Sequence, residues 1–315
     1  MKIANSKKLL WGIIRVIRPR QWIKNFALFA GLIFSGQLIN LNSVILTVEA
    51  FIIFCGITSI AYLLNDVFDV ERDRLHPFKS KRPIASGLVP VKLAISLAVF
   101  LILILLPISY LLSPPFFLAS VTYLVLQLFY SAFLKTVILL DVMMIAAGFV
   151  LRIYAGVWTI DAHLNVWFLL AVTSFALFLA IGKRRSELTL LQNQAARHRE
   201  TMLHYPENLL DILTGMFATA TWLAYAFFAF LQPPIHARPK LLGIFSDLSL
   251  PFNQAKFLMI TVPVVIYGVM RYLYIIYEKK EGESPERVIL TDKPLLLCVI
   301  LWITMVGIII YYLGA

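Results

Sequence analysis

Apolar segments of about 17–24 residues recur nine times along this chain, near 22–40, 44–66, 92–112, 115–133, 138–158, 164–182, 209–231, 255–277 and 295–314. No other feature restricts the fold so tightly. A hydrocarbon layer ~30 Å thick takes about 20 apolar helical residues to cross. It also offers no water to an unpaired backbone, so spans of this length resolve as helices. Composition agrees: 60% of the 315 residues are hydrophobic and 14% charged, against roughly 25% charged in a soluble domain. The chain reads as an all-α polytopic membrane protein of about nine transmembrane helices. No linker, short repeat or low-complexity tract divides it, so residues 1–315 read as a single transmembrane domain.

Residues 1–20 precede the first span. Lys2, Lys7 and Lys8 lead into Trp11, Ile13 and Ile14, but Arg15, Arg18 and Arg20 interrupt any secretory apolar region. Residues 6–18 instead suit a short amphipathic helix lying in the membrane interface. Lys and Arg then set the orientation. With the N-terminus inside, 23 of them fall on that side, against Arg238, Lys240 and Lys256 opposite. This asymmetry predicts a plasma or inner membrane protein with a cytosolic N-terminus and cytosolic long loops. The net charge of +11 is therefore topology and a demand for anionic substrates, not a nucleic-acid signature. Cys55 and Cys298 lie within apolar spans and read as packing residues; the five histidines show no metal-ligand spacing. The nucleotide-binding and serine-hydrolase fingerprints G-x-x-x-x-G-K-[ST], G-x-G-x-x-G and G-x-S-x-G are absent from the sequence.

The stretch NDVFDVERDRLHPFKSKRPIASGLVP, residues 65–90, closes the second span. At roughly 100° per residue, Asn65, Asp66, Asp69 and Asp73 fall within about 100° of a helix circumference. Three carboxylates on one face repel one another unless a cation sits between them. Hard oxygen ligands suit Mg²⁺, which usually takes one or two carboxylates plus substrate phosphates. Lys79, Lys81 and Arg82 follow where such phosphates would lie. The alternative is a solvated acidic helix end with a basic loop.

Three further constellations carry two readings each. Lys24 and Asn25, in Arg18-Pro19-Arg20-Gln21-Trp22-Ile23-Lys24-Asn25, are either part of an interfacial anchor or a clamp for a lipid phosphate. Asp141 and Arg152, eleven residues apart, share a helix face, with Tyr130 and Lys135 just before them. Ionisable groups inside a span are costly and face a partner or a cavity, so this set is either a structural pair or one polar wall of an active site. Lys183, Arg184 and Glu187, in Gly182-Lys183-Arg184-Arg185-Ser186-Glu187, are either positive-inside charge or a seat for a second phosphate.

Nine spans, the N-D-x-x-D-x-x-x-D run on the expected cytosolic side and the basic loop after it resemble the UbiA superfamily of intramembrane prenyltransferases. The resemblance implies a helical bundle around a central cavity opening to lipid, with Mg²⁺ and a diphosphate at Asn65, Asp66, Asp69 and Asp73. Prenyl-transferring members carry a second aspartate-rich motif after the sixth span, where this chain reads GKRRSE. That departure fits the branch that moves phosphoribosyl groups onto polyprenyl phosphate, whose hallmarks look similar to RPRQWIKN, NDVFDVERDRLHPFKSKRPIASG, LK followed by LDV, GKRRSEL and PERVILTDKPLL taken together. It implies phosphoribosyl diphosphate as donor, its diphosphate held through Mg²⁺ with help from Lys79 and Arg82, and its 5-phosphate held by Lys183 and Arg184. It also implies polyprenyl phosphate as acceptor and a place in cell-envelope biogenesis. The competing readings are a prenyltransferase acting on an aromatic or lipid acceptor, and a transporter or structural membrane protein. Oligomeric state has no signature in the sequence.

Overall fold

The computed structural model describes residues 2–75, 79–191, 205–232, 256–279 and 285–313, and among them every regular element is helical. Eight helices are long and apolar enough to cross a membrane: Leu41–Phe68, Val91–Leu112, Pro114–Ala132, Leu140–Thr159, Val166–Leu188, Glu207–Leu231, Phe257–Glu278 and Lys293–Leu313. They match eight of the nine expected segments to within a few residues. The chain is a multi-pass membrane protein.

The remaining segment, 22–40, does not run as one helix. It forms a 3-10 stretch Pro19–Leu28, a short helix α2 (Phe29–Phe34) followed by Gly36 at φ 76°, and a 3-10 turn Gln37–Ile39. The physical reason is a polar residue in an apolar run. Asn25 is fully buried, and its amide is committed to side chains elsewhere, which ties the stretch down. Before it lies α1 (Lys2–Val16). Its Leu10, Trp11 and Ile14 are exposed while Val16 is buried, as suits a helix in the interface.

By proximity the chain forms two compact units: Met1–Leu32 with Gln37–Met144 and Leu151–Ala162, and Ile33–Gly36 with Ile145–Val150 and His163–Ala315. The first is built on α3 (Leu41–Phe68). Asn40 caps it, its side-chain oxygen accepting from the Asn42 and Ser43 amides at 3.1 and 3.4 Å. Helices α5 (Val91–Leu112) and α6 (Pro114–Ala132) pack on α3, starting at Pro90 and Pro114, where a missing N–H costs nothing. Phe54 on α3 meets Tyr123 and Phe116 of α6 at 5.0 and 6.3 Å between ring centroids. Between α3 and α5, the short helix α4 (Val70–Leu75) and a loop turn back: Ile84 and Val89 are buried in the same core. Helix α7 (Leu140–Thr159) presents Gly156 to the Leu28 carbonyl.

The second unit centres on α8 (Val166–Leu191) and α9 (Glu207–Leu231), which pack along much of their lengths, with α10 (Val262–Tyr274), α11 (Pro285–Thr291) and α12 (Lys293–Gly307). Phe34, Phe168, Phe228 and Trp302 form an aromatic cluster with centroids 4.5–6.0 Å apart. Arg271 grips Asp292 through two hydrogen bonds, 3.0 and 2.9 Å. Asp292 in turn caps α12 by accepting from the Leu295 amide at 3.0 Å. Both cysteines are buried thiols.

A Cβ on Gly156 would stand 2.0 Å from the Leu28 oxygen, whereas one on Gly215 of α9 would meet nothing within 4 Å. Gly156→Ala should therefore destabilise by about 1–3 kcal/mol or more, and Gly215→Ala should be neutral or stabilising by up to about 1 kcal/mol. Thermal unfolding in detergent compares the two. Equal melting temperatures would show that α7 has room to retreat.

Candidate active site

The acidic motif lies where α3 ends. Asn65 and Asp66 occupy its last turn, Asp69 terminates it at φ −91° and ψ 1°, and Asp73 lies in α4. The Asp69 amide still donates to the Asn65 carbonyl at 3.0 Å and the Asp73 amide to the Asp69 carbonyl at 2.8 Å. Helical spacing thus survives the break and keeps the carboxylates together. Asp66 and Asp73 are buried.

Each carboxylate is met by a cation. Arg18 Nη2 donates to Asp66 Oδ1 at 2.5 Å. Arg82 Nη1 donates to the same oxygen at 3.1 Å and to Asp73 Oδ2 at 2.6 Å. Lys135, in the 3-10 turn Leu134–Thr136, pairs with Asp69. Arg82 arrives because Ile84 and Val89 are anchored in the core and fold the basic loop back toward α3. Arg18 was not among the residues the sequence singled out as a site; the signal for it was the Arg-Pro-Arg entry into the first expected span.

Asp66 and Asp73 share a single nitrogen, so their carboxylates converge on one positive centre. Two buried, oxygen-only ligands suit Mg²⁺, which completes its shell with water and substrate phosphates. Asp69 is turned to Lys135 instead. Among the described residues no three His, Cys, Asp or Glu side chains form a cage for a metal; a divalent ion here would rely on substrate oxygens.

Asn25 and Arg152 belong to a second network in the same unit. Arg152 Nε donates to Asn25 Oδ1 at 2.9 Å, and its Nη2 donates to the Tyr123 hydroxyl at 2.7 Å. The guanidinium also stacks 4.9 Å from the Tyr123 ring centroid. Asn25 Nδ2 donates onward to Thr58 Oγ1 at 3.1 Å. All four residues are buried. Asp141 is buried in the first turn of α7, and Tyr130 is half-buried near the end of α6. Lys24, Asn65 and Lys79 are half-buried as well. Tyr123 and Thr58 escaped the sequence reading because an uncharged residue in an apolar span carries no mark.

In the second unit, near the cytosolic end expected for α8, Arg184 donates to Glu187 at 2.8 Å and Lys183 lies 3.8 Å from the same carboxylate. Lys183 is the more open of the two, 41% exposed against 3% for Arg184. Arg185 is structural. It joins α8 to α9 through Asp211 at 2.5 Å and Glu207 at 2.6 Å, while the Tyr277 hydroxyl donates to Asp211 at 2.9 Å.

The sequence pattern of the UbiA prenyltransferase family matches residues 25–289. The chain belongs to this family. Its relatives include decaprenyl-phosphate phosphoribosyltransferase from Mycolicibacterium smegmatis, 34% identical over 97% of this chain and 94% of that protein. The protein of the same name from Corynebacterium glutamicum is 32% identical over 97% of this chain and 88% of its own. The fold resembles that of a UbiA homolog from Archaeoglobus fulgidus bound to GPP and Mg²⁺, with TM-score 0.66 and 20% identity, over 95% of this chain and 99% of that one. The UbiA fold expected from the motifs is therefore the fold this chain adopts.

Removing Arg152 leaves buried oxygens on Asn25 and Tyr123 without their donor, at about 1–3 kcal/mol for each orphan. Arg152→Ala should accordingly lower the thermal midpoint of the purified protein. An unaltered midpoint accompanied by lost activity would instead make Arg152 a substrate-contacting wall.

Proposed function

We propose that this UbiA-family transferase moves a 5-phosphoribosyl group from phosphoribosyl diphosphate to a polyprenyl phosphate, releasing diphosphate on the cytosolic side of the membrane. The observation that carries this reading is similarity over 97% of the chain to proteins named for that transfer. GKRRSE supports it, since a second, acidic metal motif of the prenyl-transferring kind does not stand there.

Asp66, Asp73 and Asp69 are the proposed metal and diphosphate residues, with Asn65 beside them and Arg82 and Lys79 assisting. Mg²⁺, when bound, would supply charge neutralisation for the departing diphosphate. The ribosyl C1–O bond to diphosphate breaks as an oxygen of the acceptor phosphate bonds to C1. That phosphate is already anionic at neutral pH, so no strong general base is required. Positioning and electrostatic stabilisation then carry the rate. Lys183 would meet the donor's 5-phosphate, with Arg184 and Glu187 fixing it. Lys24 is proposed to meet the lipid phosphate with Asn25 beside it, and Tyr130, Lys135, Asp141 and Arg152 to form a polar wall of the cavity.

Asp66→Asn should cut turnover by orders of magnitude in a folded protein, because a charge is lost with almost no change in volume. Full turnover in that variant without added divalent metal would refute the metal assignment. Lys183→Ala removes a charged contact worth about 1.5–3 kcal/mol, so the donor KM should rise roughly ten- to hundredfold with the lipid KM little changed. Steady-state kinetics with each substrate varied in turn makes the comparison. An unmoved donor KM would return Lys183 to a topology signal.

A further inference from the structure

Residues 285–296 read PERVILTDKPLL and lie outside the proposed chemistry. In the second unit they bring α12 against α10. Asp292 accepts from the Leu295 amide and takes two hydrogen bonds from Arg271, joining the start of α12 to the end of α10. Further along, the Cys298 thiol donates to the Val264 carbonyl at 3.2 Å, so the two helices run antiparallel. Beside these ties they do not close. Gly268 offers no side chain, and a Cβ there would meet only the Cys298 sulfur, at 3.2 Å. The result is a groove of about 600 Å³ in which Pro263 and Tyr267 of α10 face Lys293, Leu297 and Leu301 of α12, with Cys298 buried at its base.

Lys293, Leu297 and Leu301 recur every four residues and so follow one helix face over about 12 Å. That is close to the depth of one leaflet in a hydrocarbon layer ~30 Å thick. Tyr267, Leu297 and Leu301 are exposed, so the groove opens sideways, toward the lipid around the helices. Lys293 stands at one end. It is exposed and pairs with no carboxylate among the described residues, since the neighbouring one, on Asp292, is engaged by Arg271. The rest of the lining is apolar apart from the Tyr267 hydroxyl and the Cys298 thiol.

A convex apolar face is coated by lipid tails without preference. A groove with a cation at its mouth differs in two respects. It aligns one chain along its length, and its lysine can reach a headgroup phosphate on a flexible stem. The net charge of the head then selects among lipids: a choline head carries its own cation, and a glycerol head does not.

We infer that the groove between α10 and α12 seats one anionic phospholipid of the bilayer, with an acyl chain along Tyr267 and Leu297 and the phosphate on Lys293. The seat is separate from the proposed transfer, because it holds no carboxylate to gather a metal with a diphosphate. A lipid touching both helices at once favours their joined arrangement and stabilises the folded chain by mass action.

The test uses the full chain, stripped of lipid in a neutral detergent and titrated with phosphatidylglycerol or phosphatidylcholine carrying the same acyl chains. Native mass spectrometry counts the lipids retained, and thermal unfolding follows their effect. Phosphatidylglycerol should bind roughly five- to tenfold more tightly than phosphatidylcholine, as one lysine near a headgroup provides, and should raise the midpoint. Lys293→Gln should lose that preference and Lys293→Arg should keep it. Leu297→Trp, which fills the groove from an exposed position, should weaken both lipids. Equal binding of the two lipids by the unaltered protein, or an undiminished preference in Lys293→Gln, overturns the inference. Displacement of phosphatidylglycerol by an equal concentration of polyprenyl phosphate, dependent on Lys293, would make the groove an acceptor site and overturn it as well.

Discussion

A buried carboxylate at the end of a transmembrane helix must be balanced by a cation, and this requirement shapes the first unit. Asp66 and Asp73 are almost closed to solvent, and taking a charge out of water costs several kcal/mol unless it is paired and hydrogen-bonded. The chain meets this by bringing Arg82 back through a loop whose apolar residues sink into the core, and by holding Arg18 in a strained, left-handed turn. A solvated acidic helix end would need neither device. Stability alone does not explain the cluster, because apolar residues of similar size would fill the space at less electrostatic cost. The proposed transfer, which calls for a site that meets anionic substrates, gives those charges a use.

The same economy governs the polar residues deeper in the bundle. Arg152 is met by an amide, a hydroxyl and an aromatic face. Because Asn25 accepts from Arg152 and donates to Thr58, the stretch after Pro19 bends to serve that network. Small residues complete the arrangement: Gly156 admits the Leu28 backbone, and Gly31 meets Val157, as helices in lipid pack most closely where side chains are smallest. In the second unit the charged groups mainly join helices, with Arg185 joining α8 to α9 and Arg271 joining α10 to α12.

Most of the membrane architecture was legible because hydropathy records burial in lipid directly, and eight spans follow from it. The ninth segment reads the same by composition. Its break depends on Asn25 meeting Arg152, a partner 127 residues away, which no local pattern encodes. The aspartate motif was legible because its i, i+3/4 spacing is local. Its counter-ions were legible only as a basic loop: Arg82 lies 16 residues from Asp66, but Arg18 and Lys135 are 48 and 66 residues from the carboxylates they meet. Charge that lies near in sequence could be read; charge brought near by packing could not.

The measurement that tests this account most directly is transfer itself. The purified protein in nanodiscs receives Mg²⁺, phosphoribosyl diphosphate labelled in the ribose and a polyprenyl phosphate. The account predicts a labelled, phosphate-bearing lipid formed together with diphosphate, one for one. No transfer of ribose label, under conditions in which the same protein consumes a prenyl diphosphate and prenylates an aromatic acceptor, would contradict it.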